Sequence, residues 1–132
     1  MRTELDELLC TRYPEMMVNR NLAMTETCMC WGFECGDGWF NILDQLMASI
    51  QHYTDSKNRR VTLVTQITLD QVKEKFGTLR FYYTGGDDVV HGMVRVAEGM
   101  GAVTCETCGA PGIRGGDGWI KTSCSLHRDN DD

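Results

Sequence analysis

Four residues in the last quarter of the chain restrict its folding more than any other feature: Cys105 and Cys108, then Cys124 and His127, with fifteen residues between the pairs. Two thiolates separated by two residues turn a tight knuckle around one tetrahedral ion, and a second pair brought beside them by a hairpin closes the shell. The spacing predicts a single structural Zn²⁺ held by three thiolates and one imidazole. Ile113-Arg114 and Trp119 to Thr122 are expected as hairpin arms around Gly115-Gly116-Asp117-Gly118, a run that tolerates positive φ. The unit expected is a zinc ribbon or treble clef ending in a short helix. The competing reading is buried free thiols with a coincidental histidine.

A chain of 132 residues accommodates one domain, here expected as an α+β core over residues 1–101 and the zinc lobe over 102–132. No apolar run approaches the roughly 20 residues of a membrane helix. The start, Met1-Arg2-Thr3-Glu4-Leu5-Asp6-Glu7, is acidic where a leader peptide is basic and then apolar, which points to a reducing cytoplasm. Seven cysteines in that compartment indicate metal ligands or free thiols rather than disulfides. The net charge of −6 disfavours nucleic acid as a partner of the whole surface. Only the middle of the chain, with Lys57, Arg59, Arg60, Lys73, Lys75 and Arg80, offers a local basic face.

Residues 3–13 read as a helix with Thr3 and Asp6 as a capping-box variant and Pro14 as its stop. Periodicity fails from Glu15 to Asp37, which is expected to be an irregular arm. Trp39, Ile42, Leu43, Leu46, Met47 and Ile50 recur at helical intervals, so a core helix is predicted from Trp39 to Tyr53 with Asp37 as N-cap. Alternation from Val61 through Leu63, Ile67 and Leu69 predicts a strand reaching Val72. A turn at 74–77 and a second strand over Thr78–Thr84 complete an antiparallel hairpin. Asp87 or Asp88 caps a third helix with Val90, Met93, Val94, Ala97 and Met100 inward. The fold class is α+β, a small antiparallel sheet packed by helices, with an edge strand expected from residues 102–104 or the 15–36 arm.

Beyond the zinc ligands the chemistry is sparse. Cys28, Cys30 and Cys35, with Cys10, His52 or His91 as a fourth, form a weaker metal pattern, whose simpler reading is buried reduced cysteine. Gly36-Asp37-Gly38-Trp39 recurs as Gly116-Asp117-Gly118-Trp119, and each tryptophan is expected to pin its turn to the core. No nucleophile stands beside a base. Lys73, Lys75 and Arg80 are candidate anion contacts, against a default of surface pairing with Asp70 and Glu74.

The blocks Glu34 to Phe40, Lys73 to Tyr82, and Cys105 to Gly112 followed by Gly118 to Cys124 and His127 resemble a set of small proteins encoded by tailed phages and prophages. The resemblance covers about residues 28–127. It implies a bacterial cytoplasm and an accessory gene product rather than a virion part. Combined with the residues, it suggests a non-enzymatic protein that binds a host macromolecule, as an inhibitor of a host defence or nucleic-acid enzyme. Acidity suggests a basic target site, with Trp31, Trp39, Tyr82 and Tyr83 as aromatic anchors. The alternatives are a small anionic ligand such as a nucleotide on Lys73, Lys75 and Arg80, a DNA-binding regulator using Arg114, Lys121 and Arg128, and a hydrolase with an open metal position.

Overall fold

The computed structural model of the chain describes residues 1–128. Helix α1 spans Thr3–Arg12 and stops where Pro14 follows. Asp6 does not cap it. Its buried carboxylate instead accepts the Phe33 backbone N–H at 2.9 Å and pairs with Arg20 at 3.0 Å. Arg20 donates in turn to the carbonyls of Cys30 at 2.6 Å and Met29 at 3.3 Å. This knot folds the 15–36 arm back on α1. Gly32, with φ 74°, passes so close that a Cβ there would lie 2.3 Å from the Asp6 carboxylate. Met16 and Met29 are fully buried while Met24 stays exposed. The arm then contributes strand β1, Phe33–Glu34.

A 3-10 turn over Asp37–Trp39 leads into α2, Phe40–Lys57, which has no side-chain cap. Every apolar residue expected to face inward from Trp39 to Ile50 is buried. Strand β2 covers Thr68–Lys75 and β3 Thr78–Thr84. They pair antiparallel, with an irregularity between Leu69 and Gln71, while β1 adds to β2 in parallel, Phe33 opposite Val72. The sheet is thus mixed, in the order β1-β2-β3. The edge strand comes from the arm; Thr104 makes only an isolated bridge to Pro111.

The strand expected from Val61 begins at Thr68. Val61 and Leu63 are exposed, because β3 is too short to reach them and Asn58 organises the backbone instead. Its side chain accepts the N–H groups of Leu63 and Val64 and donates to the Val64 carbonyl.

Helix α3, Asp88–Gly101, is capped by Asp87, whose side chain accepts the Val90 N–H. Val90, Val94 and Ala97 enter the core, whereas Met93 is half-buried and Met100 exposed, contrary to the inward expectation. The Tyr53 hydroxyl, 2.6 Å from Asp87, holds that carboxyl below its ordinary range, helped by the Val90 amide. A depressed folded-state value gives stability that is present above pH 3.8 and lost as pH falls through the folded value. Tyr53→Phe is therefore expected to move the onset of acid unfolding of α3 to higher pH, read by far-UV circular dichroism. Asp87→Asn should flatten the acid dependence contributed by this cap.

Helix α3 packs on β3 and α2 on α3, and both share one core with the buried Leu69, Val72, Leu79 and Phe81 of the sheet. No helix of the described residues is long and apolar enough to cross a membrane.

Candidate metal centre

The last 27 described residues contain almost no apolar interior. Between residues 102 and 128 only Cys105, Thr122, Ser123 and Cys124 are buried. Strands β4, Ile113–Gly115, and β5, Lys121–Ser123, pair antiparallel and lead into α4, Ser125–Arg128. The knuckle is closed by the Gly109 N–H on the Cys105 carbonyl and the Cys105 N–H on the Ala110 carbonyl. Gly109, at φ 83°, supplies the left-handed residue that the reversal needs. The second pair sits on the first turn of α4, where the amides of His127 and Arg128 reach the Cys124 carbonyl.

This scaffold gathers the ligand atoms of Cys105, Cys108, Cys124 and His127 within 4.8 Å of one another. Cys108 Sγ lies 3.7 Å from Cys124 Sγ. His127 Nδ1 is 3.6 Å from Cys105 Sγ and 3.2 Å from Cys124 Sγ. A tetrahedral ion with ~2.3 Å bonds to sulfur and ~2.0 Å bonds to nitrogen requires edges of roughly 3.8 Å and 3.5 Å. The three separations just given lie near those edges, so the four side chains could hold such an ion.

Two of the three thiols are shifted toward thiolate. Cys108 is pushed up, the Ala110 amide that lowers it being outweighed by desolvation and by Cys105 and Cys124, and the bonds to Cys124 and Cys105 raise His127. Burial pushes the Cys105 thiol up, but the N–H groups of Cys124, Cys108 and Thr107 outweigh it and bring the value down to about 6. Cys124 is likewise lowered, its desolvation overcome by His127 and the Leu126 amide. Thiolate is the form that binds metal.

The lobe is docked through the first Gly-Asp-Gly-Trp copy. The Gly38 N–H donates to the Glu106 carbonyl at 2.7 Å and the Gly36 N–H to its carboxylate at 2.8 Å. Trp39, fully buried, donates its indole N–H to the Thr104 carbonyl at 3.0 Å. A Cβ on Gly38 would stand 2.1 Å from the Cys105 carbonyl, so the knuckle rests on bare backbone. The tip of the β2–β3 hairpin is held from the other side. Arg114 donates to the Phe76 carbonyl at 2.7 Å and Thr122 to the Gly77 carbonyl at 2.6 Å.

The remaining candidates divide. Trp39 is a core residue and cannot anchor a partner. Its counterpart Trp119 is 73% exposed, so only one of the two tryptophans pins its turn. Trp31 and Tyr82 are exposed, whereas Tyr83 is half-buried with its hydroxyl against His91. Among the described residues, Cys28, Cys30 and Cys35 do not assemble with Cys10, His52 or His91 into a metal-holding group.

Lys73, Lys75 and Arg80 do come together. Lys73 lies opposite Arg80 and Gln71 opposite Tyr82, so by strand alternation Gln71, Lys73, Lys75, Arg80 and Tyr82 share the sheet face away from the helices. None of these five is buried. The expected pairing with Asp70 and Glu74 is absent: among the described residues the three cations make no ion pair. Glu74 accepts the Gly77 N–H, and Asp70 accepts the Thr84 hydroxyl. The turn expected at 74–77 narrows to Phe76 and Gly77, at φ 53° and 78°, a two-residue turn with both centres left-handed. A phenylalanine there gives no turn signal.

Fold and site together define an α+β protein with a C-terminal Cys₃His cluster able to hold a metal ion. No family model, curated protein or solved structure matches the chain.

Proposed function

We propose that the protein is a non-enzymatic, zinc-stabilised phage accessory protein that acts in the bacterial cytoplasm by binding a host macromolecule. Zinc is the metal because three thiolates and one imidazole form its preferred closed donor set. Four protein ligands leave no coordination position for water or substrate, which supports a structural role over hydrolysis.

The observation that carries the binding reading is the uncovered sheet face. Lys73, Lys75 and Arg80 stand beside the exposed Tyr82 without ion-pair partners among the described residues, on a chain of net charge −6. Cations left unneutralised on an acidic protein suit a phosphate or carboxylate group on the partner. Glu34, opposite Lys73 in β1, limits how densely charged that group can be. A small anionic ligand such as a nucleotide is the second reading, favoured by the same three side chains.

Capture from host lysate at low and high salt tests the proposal. Binding should weaken with salt, and the double variant Lys75→Ser/Arg80→Ser should lose affinity by about tenfold or more while melting normally. Nucleotide released from denatured protein would favour the small-ligand reading. Undiminished capture by the double variant overturns the cationic face and leaves the acidic surface, directed at a basic groove, as the contact.

A further inference from the structure

We infer, resting on the small-ligand reading of Lys73, Lys75 and Arg80, that a cleft between the two hairpin tips takes the base of a guanine nucleotide. Glu74, Lys75 and Phe76 of the β2–β3 turn form one side of the cleft, and Gly118, Trp119 and Ile120 between β4 and β5 form the other. Its volume is about 210 Å³. Below the roughly 300 Å³ of a site that encloses a whole drug-sized ligand, it suits a single fused ring.

Neither aromatic side chain contributes to the core. Phe76 is 60% exposed and Trp119 73%. Phe76 also holds φ 53°, a conformation that glycine or asparagine takes freely and a bulky side chain takes at a cost. A residue that gains no burial and strains its backbone is one whose side chain serves another contact. The surroundings hold it in place: Arg114 grips its carbonyl, Thr122 the Gly77 carbonyl and Glu74 the Gly77 N–H. Trp119 is mounted as closely, since a Cβ on Gly116 would lie 2.4 Å from the Trp119 carbonyl oxygen. Rings fixed in advance lose little freedom when a base stacks on them.

The polar lining selects the occupant. Glu74 gives one carboxylate oxygen to the Gly77 N–H at 2.9 Å and accepts no other hydrogen bond among the described residues, which leaves its second oxygen for N–H donors in the cleft. A carboxylate beside three cations repels a bare phosphate. A ligand with donors at one end and its negative charge at the other satisfies both. Guanine presents two adjacent donors, N1–H and the 2-amino group, whereas adenine sets an acceptor beside its single amino group. An arginine side chain also stacks on rings and pairs with carboxylates, but Lys75 Nζ already stands 5.9 Å over the Phe76 ring and repels a second cation. Lys75 leads out of the cleft to Lys73, two residues back along β2 and ~7 Å away, with Arg80 opposite. The phosphate belongs on those cations, one ribose from the base.

Calorimetric titration of the full metal-loaded chain with GMP is expected to show one site, with AMP and ribose 5-phosphate each about tenfold weaker or more. Phe76→Asn, which suits the left-handed turn better, should raise the melting temperature while GMP affinity falls by about tenfold or more, a combination that misfolding does not produce. Glu74→Gln, whose amide oxygen can still accept the Gly77 N–H, should abolish the preference for GMP over AMP. A guanine-bearing oligonucleotide should bind no tighter than GMP, because the net charge of −6 repels further phosphates; tighter binding overturns the free nucleotide as ligand. Equal affinity for AMP, undiminished affinity in Phe76→Asn, or displacement of GMP by an arginine-bearing peptide overturns the proposal. Ribose 5-phosphate binding as tightly as GMP, and weakened by Lys75→Ser/Arg80→Ser, overturns the cleft while the cationic face stands. Binding of neither overturns both.

Discussion

Chelating the metal, or replacing Cys105 by Ser, is expected to unfold residues 102–128 while α2 and the β2–β3 hairpin remain folded. Beyond the hydrogen bonds that dock it, the described part of the lobe has almost no apolar interior to hold it. Its interior consists of ligands and two small polar residues, and the hydrophobic core ends at Ala97. In metallopeptides of this kind metal binding contributes on the order of 10 kcal/mol, and that is the folding energy itself. The core should feel the loss more mildly. Trp39 gives up its bond to Thr104, and Gly38 and Gly36 give up theirs to Glu106, at about 1 kcal/mol each. Amide exchange should therefore become unprotected throughout the lobe after chelation, with the Gly38 amide following it and those of α2 staying slow. Persistent protection of the Cys105 and Glu106 amides in metal-free protein would show that the lobe folds by itself.

Asp6→Ala is expected to destabilise the protein by about 1–3 kcal/mol, chiefly the cost of leaving the buried Phe33 N–H without an acceptor, since the stranded Arg20 is 29% exposed. The substitution strands Arg20, frees the Phe33 N–H and loosens the arm that carries β1. Asp6→Asn should cost less, because an amide oxygen can still accept from Phe33. Asp6→Ala combined with Arg20→Met should recover part of the loss, since removing both charges leaves none unpaired. Urea unfolding supplies the readout: a lower midpoint at unchanged slope. A midpoint shift in Asp6→Ala equivalent to less than ~0.5 kcal/mol, the ordinary range for a surface change, would reduce the knot to a surface pair.

These two centres were unequally legible in the sequence. The metal ligands follow from residue type and interval, because tetrahedral chemistry demands both and the intervening hairpin is short. The Asp6–Arg20–Phe33 knot joins residues with no characteristic spacing, and Asp6 near a helix start looks like a cap. The core face of α2 was readable since one apolar stripe meets one interior. That same logic misplaced Met100, because α3 carries two apolar sides and periodicity alone does not say which faces the sheet. Val61 and Leu63 mimic a strand by alternation, yet a strand needs a neighbour, and β3 is spent before reaching them. The cations of the hairpin were identifiable as charges, while their common face emerged only from the register that sets Lys73 against Arg80.

The grip of Arg114 and Thr122 on the carbonyls of Phe76 and Gly77 would link ion retention at the Cys₃His cluster to the recognition proposed for the hairpin cations. The lobe steadies the bend between β2 and β3, and Lys75 and Arg80 are carried on either side of that bend. Whatever settles on those cations should slow the escape of the ion, and by reciprocity a cell that withdraws the ion would loosen the grasp on the ligand without altering any residue that touches it.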